Sequence, residues 1–191
     1  WVPSVDFIHD TLCEGNEISF RDISVANGGD SIKSRLWILG DNDIYVAKDI
    51  KHIYDKGGLH EVVLIDTSES GCFKSVKKDV KVPYNPVANF EYSIAFSNEM
   101  INFIDLSYSD MYDSIIYRLW KFDDGTISFE ENPLKAFSDA GKHYVRLVVK
   151  TKYKGIDSIT LPVYVYSGQP VLAAPTLNFP YDNYYIDDCI G

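Results

Sequence analysis

Four histidines, three cysteines and several paired aspartates carry whatever chemistry this chain has beyond packing. His60-Glu61 opens like a zinc-protease motif, which needs a second His one helical turn later so that both imidazoles face one metal. No second His follows, and the segment around it reads as a strand. His9, His52, His60 and His143 are scattered along the chain and are read as structural. A Gly-x-Ser-x-Gly elbow, a phosphate loop and a Cys-x-x-Cys pair are all missing from the sequence. The expectation is a protein that is not an enzyme.

The acidic turns are the other candidate chemistry. Asp41 with Asp43, and Asp123 with Asp124, offer hard oxygen ligands in tight loops. Calcium takes about six to eight oxygens from several segments, so two carboxylates per loop fall short. We expect Asp41 and Asp124 to accept hydrogen bonds from turn amides instead, as Asp does in turns. No resident cofactor is expected, calcium at these four aspartates being the one metal the turns suggest.

A duplicated unit positions these residues. A shift of 83 residues lays Arg35-Leu36-Trp37 on Arg118-Leu119-Trp120, Gly58-Leu59-His60 on Gly141-Lys142-His143, and Val80-Lys81-Val82 on Val163-Tyr164-Val165. The identities fall on apolar, Trp and Gly positions, as expected of repeats that share one core pattern. A unit-opening signature of Pro, two residues, Asp or Asn, then Phe occurs at residues 3–7, 86–90 and 175–179. We therefore read a piece of a longer polypeptide, divided into residues 1–83, residues 84–168, and a linker with the opening strand of a third repeat at residues 169–191.

Within each unit the residues alternate. Ile18 and Phe20 share one face opposite Ser19 and Arg21, while Trp37 sits with Leu39 and Trp120 with Phe122, because strand side chains repeat every second residue. Each Trp is read as the packing centre of its unit. Gly, Asn and Asp clusters at 27–30, 40–43, 56–58, 70–71, 123–126, 139–141 and 153–155 cut each unit into about seven short strands. The expected fold class is all-β, two tandem antiparallel β-sandwiches of about seven strands each plus the start of a third. The join Val82-Pro83-Tyr84-Asn85-Pro86 carries two prolines and reads as a short, semi-rigid linker.

The repeat also orders the cysteines. Cys13 follows the first strand, and Cys72 lies in a turn near the end of the same unit. Our reading pairs them in a disulfide, worth roughly 4 kcal/mol on the chain-entropy model, with two free thiols as the alternative. Cys189 is the third unit's copy of Cys13 and would find its partner outside this chain, while the second unit has Phe96 and Gly155 at the equivalent positions. Such a bridge implies an oxidising compartment, extracellular, periplasmic or cell-surface.

The chain of 191 residues carries a net charge of −10 and a pI near 4.7, which argues against nucleic acid or an anionic membrane as partner. No apolar run approaches the roughly 20 residues that span a bilayer, so no membrane insertion is expected in these residues.

These residues resemble the PKD (polycystic kidney disease) domain, an immunoglobulin-like sandwich of secreted and surface proteins. Its Trp-x-Phe-Gly-Asp-Gly hallmark is met by Trp37-Ile38-Leu39-Gly40-Asp41-Asn42 and by Trp120-Lys121-Phe122-Asp123-Asp124-Gly125; its His-x-Tyr step by His52-Ile53-Tyr54; and its Gly-x-Tyr-x-Val-x-Leu strand by residues 58–64 and 141–147. The resemblance places Tyr54 and Phe137 in the core with Trp37, Leu39, Trp120 and Phe122. Asn42 and Asp123 replace family glycines, and of these Asn tolerates a left-handed backbone. The Cys13 and Cys72 pair is similar to PKD modules of bacterial surface proteins, notably of Bacteroidetes. What the resemblance implies is a stalk or adhesion segment, whose partners are other domains of the same chain and a surface protein or polysaccharide. The alternative is a substrate-binding accessory domain of a secreted hydrolase, with Tyr108, Tyr112 and Tyr117, or Tyr181, Tyr184 and Tyr185, as its aromatic row.

Overall fold

The computed structural model describes residues 1–168, and among them every regular element is a strand. The first unit contains β1 (Phe7–His9), β2 (Glu17–Asp22), β3 (Ile32–Ile38), β4 (Ile44–Tyr45), β5 (Asp49–Ile53), β6 (Gly58–Ser68) and β7 (Phe73–Val82). They form two sheets, β1-β2-β5 and β4-β3-β6-β7, with every pairing antiparallel. The alternation read from the sequence sets the faces: Ile18 and Phe20 of β2, Trp37 of β3, and Val62 and Leu64 of β6 all point between the sheets and are buried.

The second unit repeats the plan with β8 (Phe90–Tyr92), β9 (Ala95–Phe96), β10 (Ile101–Asp105), β11 (Ile115–Phe122), β12 (Ile127–Ser128), β13 (Leu134–Lys135), β14 (Gly141–Thr151) and β15 (Ile156–Tyr166). Its sheets run β13-β10-β8 and β12-β11-β14-β15-β9. The one addition is β9, which pairs in parallel with β15 through Val165 and Ala95. Even the irregularities are copied, since β3 and β11 slip register at the same place, between Ile32 and Ser34 and between Ile115 and Tyr117.

Trp37 and Trp120 are fully buried, as the alternation predicts. Phe7 meets Trp37 edge-on at 5.2 Å, and Phe90 meets Trp120 in the same way at 5.1 Å, geometry that suits the positive edge and negative face of aromatic rings. Burial of the indole N–H demands an acceptor, and in both units a carbonyl ten residues on supplies it: Ala47 at 3.0 Å and Glu130 at 2.9 Å. Leu39, Tyr54, Phe122 and Phe137 join these cores. The two clusters share no residue, so each unit closes around its own interior.

Two partly buried ion pairs, each with its carboxylate inside and its guanidinium reaching in from the edge, tie the sheets together. Arg35 reaches Asp22, and its copy Arg118 reaches Asp105. Burial works against the Asp22 charge, yet Ser24 and Arg35 hold its carboxyl below the usual range. Asp66 on β6 is left less well supported, because Ser24 and Arg35 only partly offset its burial. It is fully buried and neither carboxyl oxygen has a hydrogen-bond partner, whereas the second unit places Val149 at the same position.

The Cys13–Cys72 disulfide expected from the sequence is not formed, and both thiols are free. The reason is topological. Cys13 lies at the end of the sandwich where β6 begins, with Glu14 N–H donating to the Pro83 carbonyl and Gly15 N–H to Tyr54. Cys72 lies in the turn after β6 ends, where its carbonyl accepts from Ser68 N–H. A strand of 11 residues separates the two ends by roughly 36 Å, against the roughly 4.4–6.8 Å between Cα atoms that a disulfide needs. Cys189 falls outside the described residues, as does the third-repeat segment at 169–191.

The units meet end to end. Cys13 N–H donates to the Tyr153 carbonyl of the second unit at 2.8 Å, and the Cys13 thiol lies 3.2 Å from Asp113. Lys81 of β7 reaches Asp110 at 3.5 Å and lies over the ring of Tyr112 at 4.9 Å. Glu14 braces the linker, accepting from Asn85 N–H at 3.1 Å and from Gly57 N–H at 2.5 Å.

Candidate functional site

The turn after β3 shapes a polar cavity of the first unit. Gly40 has φ of 80°, and a Cβ there would stand 2.7 Å from the Glu61 carbonyl oxygen, so only glycine lets the chain pass this close to β6. Asn42 follows with φ of 78°, the left-handed conformation that Gly125 adopts in the second unit. This reversal aims Asp41 at His52 of β5. The Asp41 carboxylate lies 2.6 Å from His52 Nε2, while His52 Nδ1 faces the Tyr45 hydroxyl at 3.3 Å and Asp43 at 3.6 Å.

Below the imidazole sits Tyr54, whose hydroxyl donates to the Leu39 carbonyl at 3.1 Å and whose burial pushes the phenol well above its ordinary range. His60 lies against the same ring at 3.9 Å between centroids. With Asp55 and Lys56 these residues line an open cavity of about 400 Å³.

The three ligand atoms of Asp41, Asp43 and His52 all lie within 4.8 Å of one another. One imidazole with two carboxylates supplies fewer oxygens than calcium takes, and is nearer to the donor set of zinc with water completing a tetrahedron. Asp41 and Asp43 approach opposite nitrogens of the ring, however. As it stands the arrangement is a hydrogen-bonded cluster and not a converging ligand sphere. Asp41 Oδ1 also accepts from Asp43 N–H at 3.3 Å, the turn-amide role expected of it.

The second unit shows what the same geometry becomes with other side chains. Lys135 stands at the His52 position and Thr126 at the Asp43 position. The Lys135 ammonium pairs with Asp124, and Thr126 donates to that carboxylate from its backbone N–H at 3.0 Å and its hydroxyl at 2.6 Å. Against the opposing effect of burial, these contacts hold the Asp124 carboxyl down at about 2. Asp123 turns elsewhere, to His143 Nδ1 at 3.2 Å and Tyr144 N–H at 3.0 Å. Of the four aspartates singled out from the sequence, Asp41 and Asp43 converge on one residue, and Asp123 and Asp124 diverge. His52 and Lys135 went unrecognised, although the repeat aligns both as basic residues opposite an aligned Asp.

Of the tyrosines anticipated as a row, the three in described residues, Tyr108, Tyr112 and Tyr117, do not form one. Tyr108 pairs with Val87 in an isolated bridge, Tyr112 lies under Lys81 at the junction, and Tyr117 packs on Phe129 at 5.9 Å. Tyr181, Tyr184 and Tyr185 fall outside the described residues. A different set stands exposed on the five-stranded sheet, namely Tyr144, Tyr164 and Tyr166.

Residues 2–82 match the PKD domain family. The first unit is a PKD domain. The PKD1 domain of Vibrio anguillarum Epp is 24% identical, covering 45% of this chain and 99% of its own, with a TM-score of 0.42. The PKD1 domain of the Vibrio cholerae metalloprotease PrtV is 28% identical over 42% of this chain and 96% of its own, with a TM-score of 0.39. Three N-terminal domains of the bacteriophage RB49 highly immunogenic outer capsid protein align at 10% identity with 86% of this chain and 59% of theirs, with a TM-score of 0.51. That last likeness shows the fold, an all-β array. Nothing among curated proteins matches the chain. The Trp37–Asn42 hallmark of the PKD domain is thus the turn that builds the Asp41–His52 cluster, and the second unit is an immunoglobulin-like sandwich on the same plan.

Proposed function

We propose that this chain is a non-catalytic spacer of a secreted or cell-surface protein, holding neighbouring domains apart and presenting adhesion contacts along its sides. The observation that carries this reading is the junction. Two separately cored sandwiches meet pole to pole through Cys13 and Tyr153, Lys81 and Asp110, and the Glu14 brace. Polar contacts of this directionality hold one angle, which greasy burial alone does not. Strands of 11 residues in each unit give an end-to-end pair on the order of 80 Å long. Small-angle scattering tests this: the reading expects that maximum dimension, and a side-by-side pair little longer than one unit would overturn it.

A second reading rests on the exposed tyrosines. Tyr164 pairs with Lys142 and Tyr144 with Pro162 across β14 and β15, and Tyr166 pairs with Phe96 at the edge. Successive outward residues on a strand stand roughly 6.6 Å apart, so Tyr164 and Tyr166 offer adjacent rings to a polymer. In this reading the second unit holds polysaccharide or fibrous protein for a hydrolase elsewhere in the chain. Pull-down on insoluble chitin, cellulose and collagen discriminates, with retention abolished by Tyr164→Ala with Tyr166→Ala expected for a binding face and no retention of the parent chain for a spacer.

A further inference from the structure

We propose that the amino-terminal pole of the PKD domain, centred on Cys72, docks a further unit of the same kind placed before it, closed by a disulfide from Cys72 to a cysteine at the Cys13 position of that unit. The junction between the two units supplies the geometry. There the Cys13 thiol lies 3.2 Å from Asp113 and 3.7 Å from the Thr151 hydroxyl, and a Cβ built on Gly155 would stand 2.8 Å from the Cys13 sulfur and equally close to Pro86 Cδ and the Thr151 hydroxyl, so a side chain at 155 needs these last two to give way. In a disulfide the Cβ of one cysteine lies about 3 Å from the sulfur of the other, given an S–S bond of about 2.05 Å. The junction therefore has the spacing of a disulfide, with the second sulfur absent because position 155 is glycine.

The 83-residue shift carries the surface that receives Cys13 onto the opposite pole of the first unit. Asp113, Thr151, Tyr153 and Gly155 become Asp30, Ser68, Ser70 and Cys72. The frame is the same in both places. Ser114 N–H donates to Asp113 at 2.7 Å and Ser31 N–H to Asp30 at 2.8 Å, while Thr151 N–H donates to the Gly155 carbonyl at 2.9 Å and Ser68 N–H to that of Cys72 at 2.8 Å. Proline stands beside each site, as Pro86 and Pro3. A loop like Cys13-Glu14-Gly15 seated on this pole would bring its thiol against Cys72, whose side chain is partly exposed. The two thiols would lose two protons and two electrons to a disulfide oxidant such as oxidised glutathione, which leaves as two reduced molecules.

Two experiments test this on the whole chain. The first copies the amino-terminal pole into the junction by Thr151→Ser with Gly155→Cys. With oxidised glutathione we expect loss of two free thiols and a peptide linking Cys13 to position 155 by mass spectrometry. The second changes no residue but extends the chain with another copy of residues 1–83 ahead of Trp1. That copy restores the linker spacing and should link its own Cys13 to the Cys72 that follows. A folded double variant that keeps all its thiols overturns the geometry. An extended chain whose Cys72 stays free, or joins a second chain in a reducible dimer, overturns the docking surface. Should the double variant fail to fold, the extended chain decides alone, since it carries only native side chains.

Discussion

Asp66 shows how one residue separates two units with the same plan. Burial lifts its carboxyl above the ordinary value of 3.8, the Asp22 charge adding to the rise while Ser24 and Arg35 oppose it. The folded state then binds this proton more tightly than the unfolded chain, so the contribution to stability is in place below about pH 3.8 and is lost as pH rises through the raised value. An unsatisfied buried polar group costs on the order of 1–3 kcal/mol. Asp66→Val, which installs the residue the second unit uses, should raise the melting temperature of the first unit at pH 7 by several degrees and flatten its pH dependence. Calorimetry at pH 4 and pH 7 checks this, and an unchanged or lower melting temperature at pH 7 contradicts it. The sequence could not mark Asp66 in this way, because strand alternation assigns the position inward without saying whether an Arg or Ser reaches it. The His52 and Asp41 cluster was hidden for the same reason, since residues 11 apart in sequence meet only once β5 crosses the turn.

Strands, by contrast, were legible because period-two alternation is local. Ile18, Phe20, Trp37 and Leu39 carry their own direction, and the turn clusters cut the chain where β3 and β4, or β6 and β7, reverse. The two-residue strand β9 escaped notice, being too short for any period and held only by its parallel pairing to β15. The cysteine pairing failed at this scale as well: which loop lies at which end of the sandwich depends on strand order, and β6 places Cys13 and Cys72 at opposite ends. The linker was read as stiff from its prolines, yet Glu14 supplies a brace that proline content does not reveal. Glu14→Ala removes the acceptor for Gly57 and Asn85 N–H. We expect it to leave each core intact and to speed amide exchange at Gly57, Asn85 and Cys13 by tenfold or more, the equivalent of about 1.4 kcal/mol in local opening. Unchanged exchange at Asn85 would show that the brace does not hold the linker.

At the scale of the molecule, two closed interiors imply two melting units. Trp37→Ala empties the centre of the first and should cost about 3–5 kcal/mol there, while the Trp120 emission of the second unit keeps its own transition. A single shared transition lost by that substitution would mean one cooperative body. Tandem repetition was visible in the sequence because the core pattern recurs every 83 residues, whereas the docking of one unit on the other was not, being made by Asp110, Asp113 and Tyr153, polar residues with no periodic signature. The central claim is that these two modules, each with its own core, are held at one angle by that junction. Backbone ¹⁵N relaxation tests it most directly. The account predicts a single anisotropic rotational correlation time shared by the amides of residues 5–82 and 88–165, and two separate, shorter times, one per unit, would contradict it.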